Sequence, residues 1–172
     1  MQSNSFLLIF YGALFALAVA ELAKTWKKLL NESYWEYTAW SGGLFLIAAF
    51  NWFGMQYRME HLGVSFLYYF FMMIPPLLFY LLVSVFTPEK DENVKDHFLL
   101  NRKKIFSILL LFVLSNMLIS YFTGDRGIQV NILRGIAAIL AVACVLSEKM
   151  IYRLLLLIYA VGGIFTIAFF QL

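Results

Sequence analysis

LFALAVAELAKTWKKLL, residues Leu14 to Leu30, runs as hydrocarbon for one stretch and then places Glu21 before any turn signal. Lys24, Thr25, Trp26, Lys27 and Lys28 follow at once. Traced backwards, the apolar run reaches Phe6. An uninterrupted apolar run of about 20 residues is the length that crosses a bilayer, and a basic edge carrying tryptophan is the signature of the helix leaving it. Gly12, Ala16 and Ala20 recur at four-residue spacing with Ala13 beside them, a face on which another helix can approach closely.

The same pattern recurs along the chain. Apolar runs cover roughly Phe6–Ala23, Thr38–Tyr57, Leu62–Phe86, Lys103–Phe122, Ile128–Leu146 and Ile151–Gln171. Of 172 residues, 63% are hydrophobic and 13% charged, whereas a soluble domain is about half apolar and a quarter charged. The connections are short, so residues 1–172 are expected to form one all-α domain of six transmembrane helices.

The net charge is +3, but the basic residues are distributed as topology signals and not as a nucleic-acid surface. Of the 13 lysines and arginines, ten follow the first, third and fifth spans: Lys24, Lys27, Lys28, Lys90, Lys95, Arg102, Lys103, Lys104, Lys149 and Arg153. Arg58, Arg126 and Arg134 lie on the alternate side or within the fifth span. The positive-inside rule then puts both termini outside, in the periplasm, with the three basic connections in the cytoplasm. MQSNSF lacks the positive region of a signal peptide, no lipidation motif is visible, and the lone Cys144 makes no disulfide or metal pair.

Two interruptions stand out. Pro75 and Pro76 break the third span, remove two amide donors and leave the carbonyls near Phe71 and Met72 without helical partners, which makes them a candidate hinge. Between the third and fourth spans, Asn93 followed by Asp96 is a helix-start signal. Val94, Phe98 and Ile105 form an apolar stripe, so a cytoplasmic interfacial segment over about 88–102 is expected, turning into the fourth span near Lys103.

No catalytic signature is present: no GxSxG, HExxH, Walker loop, CxxC or dinucleotide turn, and no cofactor or metal is expected. Asp91, Glu92, Asp96 and His97 read as a solvated acidic loop. The polar residues inside the spans are better candidates, because their burial in hydrocarbon is costly. Counted at 1.5 Å per residue, Asn51, Asn116 and Arg134 all fall about 9 Å beneath the outer surface, with Thr166 near the layer. They either bridge helices, with the arginine snorkelling outward, or line a shared polar chamber open to the outside. Glu21, at the inner boundary, is expected to point into the bundle and pair with Lys24, Arg102, Lys149 or Arg153.

AVAELAKTWKKLL, the tryptophan-rich WSGGLFLIAAFNWF, a proline-broken third span ending in FTPEKDEN, and DHFLLNRKKIF occur here in that order. Together they resemble a family of small, uncharacterised bacterial six-span inner-membrane proteins. The resemblance implies a bacterial inner-membrane helical bundle and by position singles out Glu21, His97 and Arg102; it brings no substrate or reaction. Three functional readings follow. The first is a channel-, transporter- or sensor-like module for protons or small ions, oligomeric because six short-looped helices barely enclose a pathway. The second is an accessory membrane protein whose basic face docks a cytoplasmic partner or anionic lipid. The third, an intramembrane lipid-modifying enzyme, lacks a nucleophile or metal set.

Overall fold

A computed structural model describes residues 2–29, 34–60, 66–89, 91–123 and 128–170. His61, Lys90, Arg126, Gln171 and the expected start of the third span at Leu62 lie outside the described residues. Six helices appear in order: α1 (Gln2–Leu29), α2 (Trp35–Glu60), α3 (Phe66–Phe86), α4 (Val94–Thr123), α5 (Ile128–Leu146) and α6 (Met150–Phe170). All but α2 are long and apolar enough to cross a membrane. At 26 residues α2 is also long enough, about 39 Å, but its tryptophans, tyrosines, glycines and Asn51 make it less apolar.

The helices close into a ring in the order α1, α3, α4, α5, α6, α2, with α2 also touching α4 across the middle. Short connections make most chain neighbours spatial neighbours; the α2–α3 connection is the exception, because α1 stands between them. The ring has a basic end, where α1, α3 and α5 finish and α2, α4 and α6 begin, and an opposite end. Its outer surface is oily: Ile9, Phe53, Ile139 and Ile158 are each about two-thirds exposed or more. A surface of that kind suits contact with lipid chains rather than with water.

Large side chains, not small ones, fill the interior. On α1 the buried face is Leu7, Tyr11, Phe15, Ala18 and Leu22, at helical spacing. Phe15 stacks on Phe79 of α3 at 4.9 Å, and Phe79 meets Phe112 of α4 at 5.5 Å. The small-residue face behaves otherwise than expected. Ala13, Ala16 and Ala20 are exposed, and only Gly12 makes a close approach, where an added Cβ would sit 3.0 Å from the Trp52 ring of α2. Dispersion between aromatic rings therefore holds this part of the bundle, as it must where lipid removes the hydrophobic drive between helices.

Near the basic end the rings become continuous. Tyr37 stacks on Phe86 at 4.2 Å, Phe98 stands edge-on to both Tyr37 and Phe86, and Phe106 stands edge-on to Trp40 at 5.1 Å. Perpendicular rings put the positive edge of one against the negative face of the next.

One expectation about interruptions needs correction. The segment expected to lie along the surface and turn near Lys103 is instead the first third of one unbroken 30-residue helix. Its stripe, Val94, Phe98 and Ile105, is buried in the bundle. Asn93 starts that helix as expected, its Oδ1 accepting from the amides of Lys95 (3.0 Å) and Asp96 (3.2 Å). Lys103 and Lys104, which suggested the turn, are exposed on the opposite face and leave the stripe intact. In α3 the helix runs through Pro75 and Pro76, both buried.

The unbroken α4 can be tested by truncation. Phe98→Ala empties the ring cluster and should cost about 3–5 kcal/mol, whereas Leu100→Ala, at a side chain 85% exposed, should stay within about 0.5 kcal/mol. Thermal or denaturant unfolding of both variants in detergent checks this. Equal losses would mean that the first turns of α4 are not docked.

Candidate functional site

Two polar features occupy the bundle, one at the basic end and one towards the opposite end. At the basic end Glu36 lies in the first turn of α2, where the amide dipoles favour a carboxylate. Arg153 lies in the first turn of α6, where the same field is unfavourable to a cation. Both are buried, at 0% and 3% exposure. Arg153 grips Glu36 two-handed: Nε donates to Oε1, and Nη2 donates to Oε2 at 3.2 Å. The Tyr34 hydroxyl donates to Oε2 at 2.6 Å, and Arg153 Nη1 donates to the Glu148 carbonyl at 2.9 Å. Such forked, fully hydrogen-bonded pairing is what allows two charges to leave water together.

The network extends to α4. Arg102, 5% exposed, donates through Nη2 to Glu148 Oε1 at 3.2 Å. Glu148 stands in the connection between α5 and α6, so that connection is held by its carbonyl from α6 and by its carboxylate from α4. Cys144, on the last turn of α5, is fully buried within electrostatic reach of Arg153, Arg102 and Glu36. At the helix start, burial and the neighbouring Glu36 carboxylate push the Tyr34 phenol up to about 12.

The second feature is a cleft of about 120 Å³ between α2, α4, α5 and α6. Trp40, Leu109 and Leu156 make its buried floor; Asn51, Leu133, Arg134, Gly163 and Ile167 make a half-buried rim. The three residues counted to one depth do meet here: Asn51 from α2, Asn116 from α4 and Arg134 from α5 all line this cleft. Both asparagines return one hydrogen bond to their own helix, Asn51 to Ile47 O at 2.8 Å and Asn116 to Phe112 O at 3.0 Å. Arg134 reaches across to α4 through Nη1, donating to Ser120 Oγ at 2.7 Å and to the Asn116 carbonyl at 3.3 Å. Among the described residues that line the cleft, it is the only charged side chain. Thr166 is exposed, bonded to Gly162 O of its own helix, and does not line it.

The remaining candidates have local roles. His97 joins α4 to the end of α3: Nε2 donates to the Val85 carbonyl at 3.0 Å, while Nδ1 lies 2.5 Å from Glu92 Oε2. A terminal carbonyl of α3 is thereby satisfied. Glu21 pairs at 2.6 Å with Lys24 of its own helix, and its side chain is one-third exposed. Of the partners foreseen for Glu21 it takes the nearest, while Arg153 is taken by Glu36. Glu36 escaped the sequence reading because the second span was started at Thr38, two residues too late to include it. An acid flanked by rings, as in YWEYTAW, was the signal available.

No family model, curated protein or solved structure matches this chain.

The two carboxylates should differ sharply on substitution. Glu36→Ala strands a buried guanidinium and should cost about 3–5 kcal/mol. Tyr34→Phe removes one hydrogen bond to a carboxylate and should cost about 1.5–3 kcal/mol. Glu21→Gln, at a partly exposed pair three residues apart on one helix, should cost less than about 1 kcal/mol. Thermal unfolding in one detergent ranks the three.

The Tyr34 contribution carries a pH signature. A folded-state value raised from 10.0 to about 12 means that the neutral phenol is the favoured form. Its contribution is complete below pH 10 and is lost as pH rises through about 12. Melting temperatures of the parent protein and Tyr34→Phe should therefore converge across that interval.

Proposed function

We propose that this chain is a six-span integral protein of a bacterial inner membrane, with both termini outside, that binds a small anion with an apolar body in its outward cleft. It works as a transporter- or sensor-like module and not as an open channel. The observation that carries the reading is the convergence of Asn51, Asn116 and Arg134, from three helices, on one cleft whose floor is apolar. A concave apolar site with a few converging polar groups is the usual form of a small-molecule site. The sign of the charge selects the ligand: a guanidinium at the mouth repels protons and metal cations and attracts a carboxylate or similar group. The apolar floor favours an anion with a hydrocarbon body over a fully hydrated inorganic one.

The sidedness follows from the lysines and arginines: the basic end is cytoplasmic and the cleft opens towards the periplasm. What supports six spans is the place of α2 in the ring, alongside five helices apolar enough to cross. Against an open channel stands the buried ring cluster below the cleft, Trp40, Phe106, Phe98 and Tyr37, which fills the way towards the basic end with aromatic side chains.

Benzoate and butyrate serve as probes in a melting assay on the purified protein. Both should raise the melting temperature of the parent protein in a concentration-dependent way. Arg134→Gln, which keeps a hydrogen-bonding group, should lose most of that shift, and Arg134→Lys should keep part of it. An equal shift with butylammonium, or an undiminished benzoate shift in Arg134→Gln, would overturn the reading.

A further inference from the structure

The buried charge network and the cleft engage the same four helices. Glu36 belongs to α2, Arg102 to α4, Arg153 to α6, and Glu148 to the connection leaving α5. The floor of the cleft, Trp40 on α2 and Leu156 on α6, lies about one helical turn from Glu36 and Arg153, roughly 4.5–6 Å along the axis. We infer that the Glu36–Arg153–Glu148–Arg102 network is a cytoplasmic-side gate for the cleft, holding the basic end shut while the opposite end stays open. The inference rests on the binding reading of the cleft and adds to it the element that would let the bound solute leave on the other side.

The geometry favours a gate over a uniform brace. The interactions are graded in burial. Glu36–Arg153 is sealed, at side-chain exposures of 0% and 4%, whereas Arg102 is held by a carboxylate that is 88% exposed. Arg102 Nε is buried without a partner among the described residues. A buried guanidinium satisfied by one exposed carboxylate is the weak edge of the network, where water can first compete. Once Glu148 turns outward, the network holds the α5–α6 connection only through the bond from Arg153 Nη1 to the Glu148 carbonyl, beside the connection's own local backbone bonds. Separation of α6 from α2 is then opposed by the Glu36–Arg153 fork, whose two bonds are charge-assisted and directional and so are lost over a small displacement. Tyr34 keeps its bond to Glu36 on the α2 side. An element with two discrete arrangements is what alternating access requires.

Cys144 reports on this without any engineered label, being the chain's one cysteine and fully buried beside the network. The experiment measures the rate of maleimide labelling of Cys144 in the purified full chain, without added solute. Four proteins are compared: the parent, Glu36→Gln, Glu148→Ala, and Leu7→Ala on α1 as a control destabilised away from the network. The parent should label slowly. Glu36→Gln should label about tenfold faster or more, because local opening and not global unfolding then controls access. Glu148→Ala, which removes only the exposed carboxylate from Arg102 and keeps the backbone carbonyl that Arg153 holds, should label several-fold faster. Leu7→Ala should stay close to the parent even if its melting temperature falls by as much as that of Glu36→Gln. In sealed vesicles an impermeant maleimide should reach Cys144 of Glu36→Gln from the side carrying the basic end only. The gate is overturned if Glu148→Ala labels no faster than the parent, if Leu7→Ala rises as much as Glu36→Gln, or if the accelerated labelling comes from the opposite side. No solute enters the measurement, so its outcome stays separate from that of the benzoate assay.

Discussion

Glu36 and Arg153 are withdrawn from water by the same packing that brings them together, and the helices around them can close only while the two remain paired. An isolated buried carboxylate would carry a desolvation cost of several kcal/mol that no ring contact repays. The fork from Arg153, the hydroxyl of Tyr34 and the carbonyl of Glu148 together satisfy the pair. They also set the register of α2 against α6, residues 117 positions apart in the chain. With that register set, Trp40 falls beside Phe106, Tyr37 against Phe86, and the side chains that line the cleft face one another one turn further on.

Polarity is arranged in two layers with an aromatic layer between them. Towards one end stand Asn51, Asn116 and Arg134, bonded mainly to backbone and to Ser120. At the other end stand the two arginines and two glutamates. The intervening rings carry no charge and keep the two layers electrically apart, since charges interact strongly across low dielectric unless distance separates them. The outer layer is held by hydrogen bonds along and between helices, which leaves its side chains positioned around the cleft. The inner layer is held by ion pairs across helices, which ties the helices themselves.

Glu21 and Glu36 show how context, not residue type, assigns a carboxylate its work. Glu21 stands at the edge of a helix with a lysine one turn on, and the local pair forms at 2.6 Å with both side chains partly in contact with solvent. Glu36 has no lysine within a turn on α2. Its cation comes from the far end of the chain, and only the closure of the ring supplies it.

What the sequence determined by itself was whatever depends on local spacing and composition. Six apolar stretches, the helical period within them, the Asn93 cap and the common depth of Asn51, Asn116 and Arg134 are all properties of short windows. A rise of 1.5 Å per residue turns each of them into a position along an axis. The resemblance that singled out Glu21, His97 and Arg102 worked on the same local level, and it could mark positions without giving them partners. The tertiary structure decided azimuth and pairing. Position along an axis says nothing about which neighbour a side chain faces, so Arg153 went to Glu36 and not to Glu21, and the alanine face of α1 stayed outside. The turn expected at Lys103 disappeared because the buried stripe of Val94, Phe98 and Ile105 continues straight into α4, and burial of those side chains outweighs the local charge. Pairing across a ring of helices depends on the rotation of each helix about its own axis. That rotation is settled by the sum of many weak ring contacts and one strong buried ion pair, none of which is written in any single stretch of the chain.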